Sequence, residues 1–143
     1  MSAVRLKVLE WTPEYSVHVE EIDREHQTWF GAVNRLHEAM LAGKGKDTLG
    51  TLLAEMTQYT FDHFVHEEKL MAAIHYPDQW AHVQQHVELR CKAGAFKERF
   101  ERGEATMTIE LTLFLSDWIK QHTMTTDRRL GEFLVANRSS PGR

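Results

Sequence analysis

Four stretches of this chain, Val19 to about Leu41, about Asp47 to Ile74, about Pro77 to Arg102 and about Thr106 to Ala136, repeat apolar residues every three to four positions. That is the spacing of an amphipathic helix, and no other feature constrains the fold as strongly. The prolines stand at 13, 77 and 141, and Pro77 falls where a helix tolerates one, in its first turn. Gly43-Lys-Gly-Lys46 and Gly103 stop the pattern between stretches, and Asp47 or Thr48 is expected to cap the second helix. Helices of ~20 to 30 residues joined by short links lie antiparallel to their neighbours. The expected fold is all-α, an up-down-up-down antiparallel four-helix bundle with an N-terminal arm. We expect one domain over 1–143, with the arm at 1–18, the bundle at about 19–136 and a polar tail at 137–143.

A chain of 143 residues with 42% hydrophobic content is large enough to bury about two thirds of its unfolded surface around one core. No apolar run approaches the ~18 residues of a membrane span, and Met1-Ser-Ala-Val-Arg-Leu-Lys-Val-Leu-Glu10 has no signal-type apolar stretch. A cytoplasmic location is the expectation. The formal charge of −4 offers no basic footprint for nucleic acid, and Cys91, the single cysteine, has no intrachain disulfide partner. Gly43-Lys-Gly-Lys-Asp-Thr48 lacks the spacing of a phosphate-binding loop and follows no strand, so it reads as a turn.

The compositional oddity is nine histidines. Advancing about 100° per residue around each helix axis puts several of them on the apolar stripe. With His63 at zero, Leu49, Leu52, Met56, Tyr59, Glu67, Leu70 and Ile74 fall within about 40° of it, while the competing pair Asp62 and His66 lies roughly 60° to 100° aside. His82 and His86 share a stripe with Leu89, Ala93, Phe96 and Phe100. His26 lies in line with Val19, Ile22, Phe30, Val33 and Met40, and His122 with Leu111, Leu115 and Trp118. Any one such histidine is most simply a core residue satisfied by its neighbours. Five imidazoles and a carboxylate buried together cost several kcal/mol unless something compensates them jointly, and a metal centre does so. Spacing at i, i+4 also aims two side chains at one point, which suits chelation. Histidine and carboxylate without cysteine favour iron, manganese or zinc. The chain has neither the His-Glu-x-x-His of zinc proteases nor the Glu-x-x-His of carboxylate-rich di-iron bundles. His37 faces inward but lies roughly 16 Å along the first helix from His26. His66 and His75 read as surface or loop residues, and Cys91 as a small boundary hydrophobe.

Taken in order, Ile22-Asp-Arg-Glu-His26, His63-Phe-Val-His-Glu67-Glu68 followed by Met71, Tyr76-Pro77, His82-x-x-x-His86 and Trp118-Ile-Lys-Gln-His122 with Asp127 five residues on make the chain resemble the hemerythrin family, specifically its single-domain bacteriohemerythrins. The likeness runs from the Trp11 arm to about Leu134. It implies two iron ions, one held by His82, His86 and His122 and the other by His26 and His63, with Glu67, Asp127 and an oxo or hydroxo group bridging them. Two six-coordinate irons offer about twelve positions, of which this set fills about eleven. The open position implies reversible dioxygen binding for storage, delivery or buffering rather than enzymatic turnover, and delivery would involve an oxygen-consuming acceptor protein. The alternatives are a di-iron peroxidase or nitric-oxide-handling enzyme on the same site, or an oxygen sensor acting through a partner. Phe30, Trp118, Ile119 and Thr123 are expected to line the oxygen pocket, and Asp23, one turn before His26, to orient that ring.

Two departures from the family stand out. Its arm usually reads Ser-Val-Gly-Val where this chain has Ser16-Val-His18-Val19, and an apolar branched residue usually follows the fourth-helix histidine, where this chain has Thr123. His122 and Asp127 also lie about 140° apart on a regular α-helix. One residue inserted after His122 turns Asp127, Leu130 and Leu134 inward, so the sequence predicts a π-bulge between about His122 and Asp127.

Overall fold

The computed structural model describes residues 8–104 and 107–138. Residues 1–7 of the expected arm and 139–143 of the expected tail lie outside the described residues. Three helices, α1 (Glu20–Leu41), α2 (Lys46–Ala73) and α3 (Gln79–Glu101), precede a fourth rod built from α4 (Met107–Gln121), a π-helical turn (His122–Asp127) and α5 (Arg128–Arg138). Helix α1 packs on α2 and α4, and α3 packs on the same two. The rods therefore close a ring of antiparallel neighbours, the all-α four-helix bundle expected from the short links. Among the described residues there is no strand, and no helix is long and apolar enough to cross a membrane.

Local chemistry moves two helix starts from where the sequence put them. Gly45 is the N-cap of α2 and no side chain caps it, so neither Asp47 nor Thr48 does so. Asp47 instead sits in the first turn, where its charge complements the helix dipole. Pro77 lies before α3 rather than inside it. The Tyr76 N–H turns back to Met71 O and the Gln79 N–H to Tyr76 O, so Pro77 and Asp78 complete a turn first. His75, at φ 52°, belongs to that turn.

Two apolar clusters fill the bundle. The larger includes Trp29, Leu36, Leu53, Phe64, Leu89, Leu115 and Ile119. The smaller joins Val17, Val19, Ile22, Met71, Tyr76, Leu130 and Leu134. Along α1 and the fourth rod the buried histidines and acid fall between the residues of one cluster and those of the other, and on α2 Glu67 lies between Phe64 of the larger and Met71 of the smaller. On α2 the buried arc is turned toward Phe64 and Thr60, leaving Tyr59, expected inward, 38% exposed. A helix wedged between two neighbours buries a wider arc than a single stripe. Cys91 is exposed rather than at a boundary.

The arm is held by specific bonds. Asn34 Oδ1 accepts from the Val8 and Leu9 N–H groups at 2.9 Å each, and the Ser116 hydroxyl donates to Val8 O at 3.1 Å. Nearer the bundle, Asp23 accepts from the Ser16 hydroxyl at 2.7 Å and the Val17 N–H at 2.9 Å.

Candidate metal centre

Each rod delivers polar side chains to one level of the bundle: His26 from α1, His63 and Glu67 from α2, His82 and His86 from α3, His122 and Asp127 from the π-turn. All seven are at most 2% exposed. The i, i+4 pairs point the same way, as their spacing requires. The fourth rod achieves the same by unwinding. Through the turn the Arg128 N–H reaches Thr123 O, five residues back, and this register carries Asp127 round to the face of His122. The expected slip is present, and it extends over the whole of His122–Asp127.

The ligand atoms fall into two groups that share both carboxylates. One comprises Glu67, His82, His86, His122 and Asp127, the other His26, His63, Glu67 and Asp127, each within 4.8 Å. Glu67 directs Oε1 to His82 and His86 Nε2, both at 3.1 Å, and Oε2 to His63 Nε2 at 3.4 Å. Asp127 directs Oδ1 to His82 and His122 Nε2, both at 3.0 Å, and Oδ2 to His26 Nε2 at 3.0 Å. Each carboxylate thus spans the two groups with separate oxygens. Several of these close atoms do not bond one another. His86 Nε2, His122 Nε2, Glu67 Oε2 and both Asp127 oxygens are buried without a hydrogen-bond partner. Buried polar atoms are rarely left so. Nitrogens and oxygens that crowd to 3 Å without hydrogen-bond geometry are directed at shared points between them, and a cation at such a point satisfies them together.

The electrostatics agree. Burial would lower His63, but the Glu67 charge and the Glu25 carboxylate bonded to its Nδ1 raise it to about 10. Burial also opposes protonation of His82, and the Asp127 and Glu67 carboxylates that face its Nε2 raise it to about 9. Burial and, for Glu67, the nearby Asp127 charge work against ionised acids, yet the facing histidines hold both carboxyls well below their usual range. For His86 burial wins, and its pKa is lowered. The metal-free pocket thus draws protons to its centre, which a metal cation would displace.

Behind the cluster, His63 Nδ1 donates to Glu25 at 2.6 Å and His86 Nδ1 to Glu68 at 2.8 Å. Gln85 Oε1 stands 2.6 Å from His122 Nδ1. Asp23 was expected to orient His26 and does not; it holds the arm instead, and His26 Nδ1 has no hydrogen-bond partner. The part-buried Glu25 is shared with His66, which is partly exposed and outside both ligand groups, in keeping with its phase on the helix. His37 meets the Thr112 hydroxyl at 2.7 Å and is in neither ligand group.

Aromatic rings wall the cluster. Phe64 stacks on His86 with centroids 3.8 Å apart, and Trp118 on His122 at 4.4 Å. Trp29, fully buried, stands 5.4 Å from the His63 ring and 6.5 Å from Trp118. Sequence phase singled out Phe30, but its ring meets Tyr15 under the arm at 5.3 Å. Trp29 and Phe64 were the aromatics it missed. Each is adjacent to a residue of the inward stripe, and burial on two sides of a helix reaches both. Ile119 and Thr123 are fully buried, and the Thr123 hydroxyl has no partner.

Residues 17–134 match the hemerythrin HHE cation binding domain. The chain belongs to the hemerythrin family. It is 30% identical over 132 residues to a bacteriohemerythrin of Methylococcus capsulatus, covering 92% of this chain and all of that one. It is also 30% identical over 118 residues to myohemerythrin-1 of Phascolopsis gouldii, covering 82% of this chain and 87% of that one. The fold superimposes on a crystal structure of wild-type hemerythrin with a TM-score of 0.81 at 30% identity, over 87% of this chain and 95% of the other. Within this hemerythrin fold His18 adopts φ 64°, the left-handed conformation that glycine takes readily. His18 is accommodated there, with Ser16 and Val17 of the arm bound to Asp23.

Proposed function

We propose that this hemerythrin-family chain acts as one domain over 1–143 that holds two iron ions and binds dioxygen reversibly between its helices. His82, His86 and His122 would hold one iron and His26 and His63 the other, with Glu67, Asp127 and an oxo or hydroxo group as bridges. The observation that carries this reading is the way each carboxylate turns one oxygen to each histidine group. Iron at both positions would supply the electrons that make dioxygen capture reversible. Five histidines against two carboxylates form a neutral-rich donor set, and this favours carriage over the oxygen activation typical of carboxylate-rich centres. The reading is therefore a binding protein rather than an enzyme, in the cytoplasm, with an oxygen-consuming protein as acceptor.

The chain's own residues give the pocket its character. Trp29, Phe64 and Trp118 pack against the histidine rings and keep bulk water off them, with Ile119 and Phe30 in the same apolar cluster. The unpartnered Thr123 hydroxyl, next to His122, offers a hydrogen bond where an apolar side chain would offer none. An optical titration tests the function. The reduced, iron-loaded protein should gain a visible absorption band on admitting air and lose it on deoxygenation. Steady consumption of peroxide or nitric oxide with a reductant, and no reversible band, would overturn the reading in favour of an enzyme.

A further inference from the structure

The three ligand rings with outward partners are not backed alike. His63 donates to the Glu25 carboxylate and His86 to the Glu68 carboxylate. Glu68 also lies 3.4 Å from the Arg90 guanidinium, which offsets its charge. The outer nitrogen of His122 faces no acid but the side-chain amide of Gln85, at 2.6 Å. The same Gln85 oxygen accepts from the Thr126 hydroxyl at 2.8 Å. Gln85 stands on α3 immediately before His86, whereas His122 and Thr126 both belong to the π-turn, so one oxygen fastens that turn to the neighbouring helix. Its orientation follows from chemistry. A ring that turns Nε2 toward Asp127 to ligate must carry its hydrogen on Nδ1, and only the amide oxygen can accept it.

Building on the two-iron reading above, we propose that Gln85 is the positioning residue of His122. It holds the Nδ1–H, leaves Nε2 free as the ligating nitrogen, and clamps the π-turn through Thr126. A carboxylate on the outer nitrogen makes an imidazole a stronger electron donor, and a neutral amide does so less. Gln85 therefore leaves His122 a weaker donor than the carboxylate-backed His63. Beside the pair lies a cavity of about 310 Å³ lined by Gln85, Glu88, Trp118, Gln121, His122 and Thr125. Without the amide, water from that cavity reaches Nδ1, and water accepts or donates equally well, so the ring loses its fixed orientation.

The test compares the wild type with Gln85→Leu and Gln85→Glu by three measurements. Nitrogen-resolved NMR of the metal-free protein reads the His122 Nδ1–H and its exchange with solvent. Iron release to excess chelator and the midpoint potential of the iron-loaded protein read the consequences. The wild type and Gln85→Glu should hold a slowly exchanging Nδ1–H, and Gln85→Leu should lose it and release iron about 10 to 100 times faster. Gln85→Glu should keep its iron and show a lower midpoint potential. A wild type without a protected Nδ1–H overturns the proposal even if Gln85→Leu does not fold. So does a Gln85→Leu variant that matches the wild type in exchange and iron release, or a Gln85→Glu variant with an unchanged potential. A wild type that took up no iron would defeat the two-iron reading, while the NMR comparison would still decide what Gln85 does.

Discussion

His63 and His66 differ by three positions on α2, and the difference separates a ring at the centre of the cluster from one at its edge. His63 is 1% exposed and belongs to a ligand group, whereas the His66 side chain is 36% exposed and reaches Glu25. His63→Ala should abolish retention of one or both irons, and His66→Ala should retain them, measured as iron per chain after gel filtration. Equal loss from both would contradict the assignment. His18 makes a second prediction. A left-handed non-glycine residue costs about 1–2 kcal/mol, and glycine's added freedom when unfolded returns about 0.5–1 of it. His18→Gly should therefore stabilise the protein by about 0.5–1 kcal/mol, read as a higher denaturation midpoint. A lower midpoint would show that the His18 side chain earns its place by contacts. At this scale the inward histidines and Glu67 were legible, because i, i+4 spacing on a long helix fixes their direction. Glu25, Glu68 and Gln85 were not, since what they touch depends on how two helices pack and not on either sequence alone. Asp23 shows the same limit: it stands one turn before His26 in the sequence, but it binds the arm, which folds back from outside the helix.

Among the elements, the fourth rod carries the most information per residue. Regular winding would have buried Thr126 and Arg129, and the π-turn buries Asp127, Leu130 and Leu134 in their place. That slip was readable because the apolar pattern changes phase at His122. The close approach of the arm was not. A Cβ added at Gly131 would overlap Val17 O and lie 2.8 Å from Val17 Cβ, so glycine is required for the arm to cross α5 there. The Arg128 guanidinium also donates to Glu14 O, one turn away. Gly131→Ala must push Val17 off the rod, against the bonds Asp23 makes to Ser16 and Val17. The expected cost is about 1–3 kcal/mol, as for other overpacked sites. Urea denaturation measures it, and an unchanged midpoint would mean that the arm yields freely.

For the whole molecule, the centre is a concentration of opposed charges that folding alone does not neutralise well. His63 and His82 have folded pKa values of about 10 and about 9, above the ordinary ~6.5 of an unfolded histidine. In the metal-free protein their contribution is full below ~6.5 and is lost as the pH rises through about 9 to 10. The depressed carboxyls Glu67 and Asp127 contribute above their unfolded pKa and fail as acid protonates them. Metal-free protein should therefore melt lower than iron-loaded protein, and its Tm should fall between about pH 6.5 and 9 while that of the loaded form changes less. Parallel calorimetric scans that show no gap, or a gap that narrows with rising pH, would contradict this. The bundle itself was fully foreseeable from periodicity and link lengths. The proposed bridging of two metal positions by Glu67 and Asp127 is decided by anomalous diffraction at the iron edge from crystals of the iron-loaded protein. Two separate iron peaks per chain are expected, one beside His82, His86 and His122 and one beside His26 and His63, with both carboxylates between them. A single peak, or a lone zinc signal in place of iron, would contradict it.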